Sequence, residues 1–251
     1  MQSKRRYHEP VLRLRDFDER SVPPLRTKEK NMHKLLIATN NQGKVQELHE
    51  LLQGMGIELV TPSQIGLDLD VLEDGLTYAE NATKKAIAFA KASNLISLAD
   101  DSGLEVDALN GAPGLYSARY GSTNGEKLSD ADRRKYLLSK LQDQPHPWTA
   151  RFHATIAIAI PPSYVTLTLS DSEGEGSLLR ENETLLAVGI CEGEIIPTER
   201  GTGGFGYDPI FLLPELGKTM AELSMDEKNR LSHRAKAVMN AKGILEMLFT
   251  S

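Results

Sequence analysis

A mixed α/β chain is expected from three features of the sequence. Short apolar strands alternate with amphipathic helices up to about residue 100, longer strand patterns with hairpin connections follow, and one long helix closes the chain. A cleft between the helix-rich half and the strand-rich half is the expected ligand site.

The elements follow in order. KLLIAT, from Lys34, is a short apolar strand. In GKVQELHELLQGMG the apolar residues Val45, Leu48, Leu51 and Leu52 recur at helical spacing and the pattern closes on glycine. IELVTP reads as a second strand. Thr77 to Glu80 forms a capping box that opens a helix through NATKKAIAFAKAS. LISLAD reads as a third strand, ending at its acidic residues, with GLEVDAL a candidate fourth. NGAPGLYSARYGS is a Gly/Pro-rich loop, and DADRRKYLLSKL a helix. RFHATIAIAI, YVTLTLS, TLLAVGICEGEII and DPIFLL read as strands, with the polar SDSEGEGSLLRENE as a protruding hairpin tip. RAKAVMNAKGILEMLF is the closing helix.

Composition narrows the class. The chain has 251 residues, 40% apolar and 25% charged, as in soluble globular proteins. Residues 1–31 are charged and proline-containing with no apolar periodicity, so they read as a disordered extension before a single domain over 32–251. No apolar run reaches the roughly 20 residues of a membrane span. The formal charge of -6 gives no general attraction to nucleic acid or anionic lipid, so neither is an expected partner. Any anionic ligand then needs a local cluster of donors or a metal ion. The single Cys191 excludes an internal disulfide and a cysteine-rich metal site, and suits a reducing compartment.

Gly201, Gly203 and Gly206 in GTGGFGYDP have the spacing of a dinucleotide-binding loop. That loop must run straight into a helix, whereas Pro209 pushes Asp208 out of helical geometry and IFLL is strand-like. The glycines therefore either let backbone approach a flat ligand beside the Phe205 ring, or simply form a turn around a core Phe. Thr39, Asn40, Asn41, Gln42, Gly43 and Lys44 join the first strand to the first helix, where unpaired N–H groups suit phosphate. Ala38 and Val45 stand where a Walker A loop needs Gly and Ser/Thr, so this is no such loop; an Asn-rich helix cap is the alternative.

Asp100 and Asp101 end a buried strand, a poor place for unpartnered charge. Strand alternation sends one of them into the cleft, though spacing does not say which. Glu73 is a candidate second carboxylate. Such a pair, with waters and substrate phosphates, is how magnesium is commonly held; capping of turns is the alternative. Ser224 to Glu227 is a second capping box. One continuous helix would put Lys228 and His233 about 140° apart, so a short turn is expected, then a fresh helix capped by Ser232. That helix would aim His233 and Arg234 at the cleft, unless they form a solvated basic face.

Four segments together, TNNQGK, LADDSGLEVDALNGAPGLYSARY, GTGGFGYDPIF and the EK…SHR run, resemble the inosine triphosphate pyrophosphatase family, in order from Lys34 to the C-terminus. The resemblance implies an elongated mixed sheet with flanking helices and two lobes around a central nucleotide cleft. It implies hydrolysis of inosine, deoxyinosine and xanthosine triphosphates to the monophosphate and pyrophosphate, with Mg2+, by a cytoplasmic homodimer. It further implies that Thr39 to Lys44 bind triphosphate, and that Asp101 is proton acceptor and metal ligand. Glu73 would be the other metal ligand and Ser102 a substrate contact. Phe205, Gly206, Tyr207 and Asp208 would form the base-binding stretch, Lys228 a substrate lysine, and His233 and Arg234 the pair that reads the purine. Rival readings are a pyrophosphatase on modified pyrimidine nucleotides and a purine-nucleotide binder that does not hydrolyse. The chain departs from the family in its N-terminal extension and in the acidic insertion Asp171–Glu183.

Overall fold

Leu35, Leu36 and Ile37 are all buried, so the strand they form needs cover on both faces and neighbours on both edges. In the computed structural model, which describes residues 33–123, 127–163 and 184–250, β1 (Lys34–Ile37) pairs in parallel with β2 (Glu58–Val60) and β3 (Ile96–Val106). The crossovers run through α1 (Gln42–Leu52) and α2 (Tyr78–Ser93). The extension, the strand YVTLTLS and the acidic hairpin tip lie outside the described residues. Among the described residues no helix is long and apolar enough to cross a membrane.

β3 corrects the reading of two short strands. It is one strand of 11 residues, so Asp100 and Asp101 lie in its middle rather than at its end. The reason is its antiparallel partner β4 (Trp148–Ala159), whose ladder runs unbroken from Ser97↔Ala159 to Val106↔Ala150 and carries β3 through its polar residues. Gly103 does not break the strand. Without a Cβ it admits the Gly114 carbonyl oxygen and the Ser117 hydroxyl close to its backbone. β5 (Thr184–Ile195) continues the sheet antiparallel, followed by the short β6 (Phe211–Leu213) and β7 (Lys218–Thr219). The order among the described residues is β2-β1-β3-β4-β5-β6-β7.

Helices cover both faces. Ala82, Ala86 and Phe89 of α2 pack on Ala99, Ala157 and Ala159. On the opposite face Leu48 and Leu52 of α1, with Val238, Ala241 and Leu245 of the closing helix, pack on Leu98, Ile156 and Ile158. Each fully buried aliphatic side chain contributes about 1.5–3 kcal/mol. A separate apolar cluster at the far end of the sheet joins Leu137 and Leu141 of α3 (Asp130–Leu141) to Trp148, Phe152 and Phe211.

Local signals hold with two adjustments. Thr77 caps α2 through the Glu80 N–H at 3.1 Å, but the Glu80 carboxylate accepts from Leu76 N–H rather than from Thr77, so the box closes one residue early. DPIFLL is strand only over Phe211–Leu213, since Asp208–Ile210 make one 3-10 turn with Pro209 at its start, where no N–H is needed. The last basic segment folds as read: α4 (Met225–Leu231) has its Ser224–Glu227 capping box, and Ser232 opens α5 (His233–Thr250) by accepting from Ala235 N–H.

β1 leaves the sheet at Ile37↔Leu98, so β3 from Asp100 onward has an edge bordered by loops and helix ends. The site forms along that edge. On the α5 side, Gly189 of β5 lets the helix approach: a Cβ there would collide with the His233 carbonyl oxygen and the Ala237 nitrogen. Gly189→Ala is therefore expected to lower stability by about 1–3 kcal/mol, read as a lower urea midpoint. An unchanged midpoint would mean that the helix lifts from the strand without cost.

Candidate active site

Asn41 ends the turn after β1 by accepting from Lys44 N–H at 3.2 Å, which fixes where α1 begins and sends Lys44 back toward β3. The Lys44 ammonium reaches the Asp100 carboxylate at 2.8 Å and the Asp100 carbonyl at 3.2 Å. From α5, the buried Arg234 donates to the same carboxylate, to Ser102 Oγ at 3.1 Å and to Glu47. Glu47 also holds Lys228 at 2.6 Å, and Lys228 holds Asp208 at 2.7 Å. Three cations and three carboxylates thus interlock beneath the cleft. Burial alone would push the Asp100 and Glu47 carboxyls up, but the neighbouring cations outweigh it and hold both below their ordinary values. For Asp208 burial prevails over Lys228, and its carboxyl is raised.

Asp101 points to the opposite face of β3, as alternation requires, and there the balance differs. It lines a cavity of about 330 Å³ that Asp100 does not enter. Its Oδ1 accepts from Ser102 N–H at 3.0 Å, while its Oδ2 is buried with no partner. Burial raises its carboxyl, and the nearby charge of Glu73 adds to the rise against Lys44 and Lys85. Glu73, just before α2, is paired with Lys85. This corner therefore has two carboxylates facing one dedicated cation. An orphaned carboxylate oxygen beside a second carboxylate fits a hard divalent ion. Among the described residues no group of three or more His, Cys, Asp or Glu side chains could hold a metal, so such an ion would complete its shell with water and ligand oxygens.

The other end of the cavity is a flat slot. The Phe205 ring lies against Gly43, where a Cβ would come within 2.6 Å of it, and Lys228 and Arg234 stand 5.4 and 5.7 Å from its centroid. His233 stacks on Phe152 at 4.7 Å with its Nδ1 unpartnered. Burial, then Arg234, depresses its basicity far enough to keep the ring neutral at pH 7.

Of the residues expected at the site, Asn40, Gln42 and Gly43 do not line the cavity; the remaining thirteen do. Gly43 forms the bed on which the Phe205 ring lies. The Tyr207 hydroxyl donates to the Ser117 carbonyl, so that side chain braces the wall. Sequence reasoning missed Glu47, Lys85, Phe152 and Asp130, all on the lining. Glu47 carried a weak signal, an acid beside Leu48 on the apolar stripe of α1.

A model of the Ham1 family matches residues 35–244. The dITP/XTP pyrophosphatase of Desulforamulus reducens is 46% identical over 217 residues, spanning 86% of this chain and 97% of that protein. The dITP/XTP pyrophosphatase of Bacillus subtilis is 42% identical over 216 residues, 86% of this chain and 98% of that protein. Among solved structures, a HAM1 protein from Coxiella burnetii superposes with a TM-score of 0.71 at 35% identity, over 86% of this chain and all 100% of that one. The Staphylococcus aureus Ham1 protein gives 0.68 at 40% identity, over 86% and 99%.

The neutral His233 has a pH consequence. Below an unfolded-state pKa of about 6.5 the unfolded chain takes up a proton that the folded chain refuses, so stability falls as pH drops. His233→Gln is expected to remove up to about 1.4 kcal/mol per pH unit from that slope, read from urea midpoints at pH 5.5, 6.5 and 7.5. Parallel slopes for the two proteins would mean that the ring titrates normally.

Proposed function

The chain belongs to the Ham1 family, and we propose that it hydrolyses the triphosphates of deaminated purines (ITP, dITP and XTP) to the nucleoside monophosphate and pyrophosphate. The observation that carries this reading is the pairing of two ends in one cavity: a carboxylate couple short of a cation, and an aromatic slot flanked by balanced charges. Curated relatives over most of the chain carry the dITP/XTP pyrophosphatase name.

The chemistry follows from the residues. Glu73 and Asp101 would hold Mg2+, which when bound offsets the charge of the triphosphate and acidifies a bound water. Asp101 takes the proton of the attacking water, whose oxygen bonds to the α-phosphorus as the bond to the bridging oxygen breaks and pyrophosphate leaves with that electron pair. A raised carboxyl suits this work, since it accepts the proton more readily than a salt-bridged acid such as Asp100. Lys44, at the turn after β1, is the cation for the phosphate chain, with Lys85 beside it. In the slot, Lys228 and Arg234 stand beside the acceptors Glu47 and Asp208. A 6-oxopurine offers the matching acceptor O6 and donor N1–H, whereas adenine presents the reverse.

The cytoplasm is the proposed compartment, since the triphosphate pool it would cleanse lies there. A homodimer is proposed as well. Leu186, Val188 and Ile190 alternate along one face of β5 and are 46%, 42% and 38% exposed, an apolar stripe suited to a second copy. Light scattering at micromolar concentration reads the mass.

Purified protein with Mg2+ is expected to release pyrophosphate from ITP, dITP and XTP far faster than from ATP, and to stop when the metal is chelated. Release of orthophosphate with the diphosphate, or no turnover, would overturn the reading. Asp101→Asn should cut kcat by about 10²–10⁴-fold while the affinity for ITP changes only a few-fold. Equal losses in both would remove its role as base.

A further inference from the structure

The glycine loop cannot hold its own shape. Gly201, Gly203, Gly204 and Gly206 fall within six residues, and three of them have positive φ, Gly206 at 61°. Such backbone has wide freedom in the absence of outside contacts. Both halves of the Gly206 peptide are nevertheless gripped, and both grips come from the start of α3. The Gly206 N–H donates to Asp130 Oδ2 at 2.6 Å, and its carbonyl accepts from Arg134 Nη1 at 2.8 Å.

The same turn of α3 reaches further in both directions. Arg134 donates two bonds to Glu199, each 2.9 Å, just upstream of the loop. Arg133 pairs with Asp130 and donates to the Ala118 carbonyl at 2.6 Å, in the Gly114–Arg119 turn that forms another part of the cavity wall. α3 therefore ties two walls together at a set spacing.

Phe205 makes that spacing matter. Its N–H is held by Asp208 at 3.0 Å and its ring lies on Gly43 with no slack for even one methyl group. A shift of the neighbouring Gly206 peptide would carry the ring off its bed and change the slot. The bonds of Asp130 and Arg134 go to Arg133, Gly206 and Glu199, and none of them reaches Lys44, Asp101 or Glu73 at the phosphate end.

We propose that Asp130 and Arg134 are positioning residues for the purine slot, fixing the Phe205–Gly206 backbone and thereby base affinity and the preference for 6-oxo over 6-amino purines. This inference rests on the deaminated-purine reading for its ligand, but the clamp itself is a statement about the loop.

The test uses the full chain with Arg134→Ala, Asp130→Asn and Arg134→Lys. Hydrogen exchange at the 203–207 amides should quicken in the first two. The KM for ITP and the inhibition constant of inosine monophosphate should rise about tenfold, the loss expected for one charge-assisted hydrogen bond. Inhibition by inorganic pyrophosphate and kcat should stay within about twofold, and the ITP-to-ATP preference should fall. Arg134→Lys, which keeps the charge but not the planar fork, should recover part of each loss. Equal weakening of monophosphate and pyrophosphate binding would reveal general damage and overturn the proposal, as would unchanged exchange in the loop. If the wild type released no pyrophosphate from ITP, the functional reading would fall, and the exchange measurement alone would still decide the clamp.

Discussion

The Asp100 carboxylate is the constraint from which the rest of the site follows. Its side chain is 0% exposed, and an ion so placed costs several kcal/mol unless cations meet it. Lys44 and Arg234 do, but each is itself nearly buried and Arg234 needs a second acid. The demand passes along a chain of alternating sign: Asp100, Arg234, Glu47, Lys228, Asp208. That chain starts on β3, crosses α5, α1 and α4, and ends in the glycine loop, where Asp208 holds the Phe205 N–H. Removing one member would leave a buried charge unmatched, a loss of about 3–5 kcal/mol in comparable cases.

The neighbouring aspartate owes its different character to a single step along the strand. Asp101 faces the α2 side and shares its corner with another acid. Two adjacent carboxyls are driven apart: cations hold one below its ordinary value, and burial holds the other above it. Environments that separate two acids in this way assign them different work. Here one is a fixed counter-ion, and the other is available to a proton or a metal. The mid-strand location matters as well. A continuous ladder with β4 holds both carboxyls in register, which a strand end would not do.

What the sequence revealed tracks what is local. The caps at Thr77, Ser224 and Ser232, the break between α4 and α5, and the buried β1 all depend on residues a few positions apart, and each was legible. The strand through LADDSGLEV was not, because acids and a glycine look like a boundary until the β4 ladder is known. Alternation correctly implied that one aspartate enters the cleft, but only the positions of Lys44 and Arg234 decide which. Lys85 and Asp130 read as ordinary helix surface, and Glu47 gave only a weak signal beside the apolar stripe of α1. The meaning of Glu47 and Asp130 comes from partners far away in the chain, 187 residues in the case of Glu47 and Arg234 and 76 in the case of Asp130 and Gly206. Gly43 shows the same limit: its place in a phosphate-like turn was legible, but the Phe205 ring that lies on it, 162 residues later, was not.

The glycine spacing at Gly201, Gly203 and Gly206 resembles a dinucleotide loop because both need backbone with positive φ or a close approach to neighbouring groups. The resemblance ends where the stiffness comes from. A dinucleotide loop takes its shape from the helix that follows it. This loop runs into one 3-10 turn and a three-residue strand, too little to order four glycines. Its order is supplied from outside: by Asp208 at the end of the buried ion chain, by the α3 turn on Gly206, and by the Tyr207 hydroxyl on Ser117. The shape of the slot beside Phe205 is thus a property of charges drawn from separate segments of the chain. No one of these motifs carries meaning alone, because each supplies a member to a network that holds only when complete.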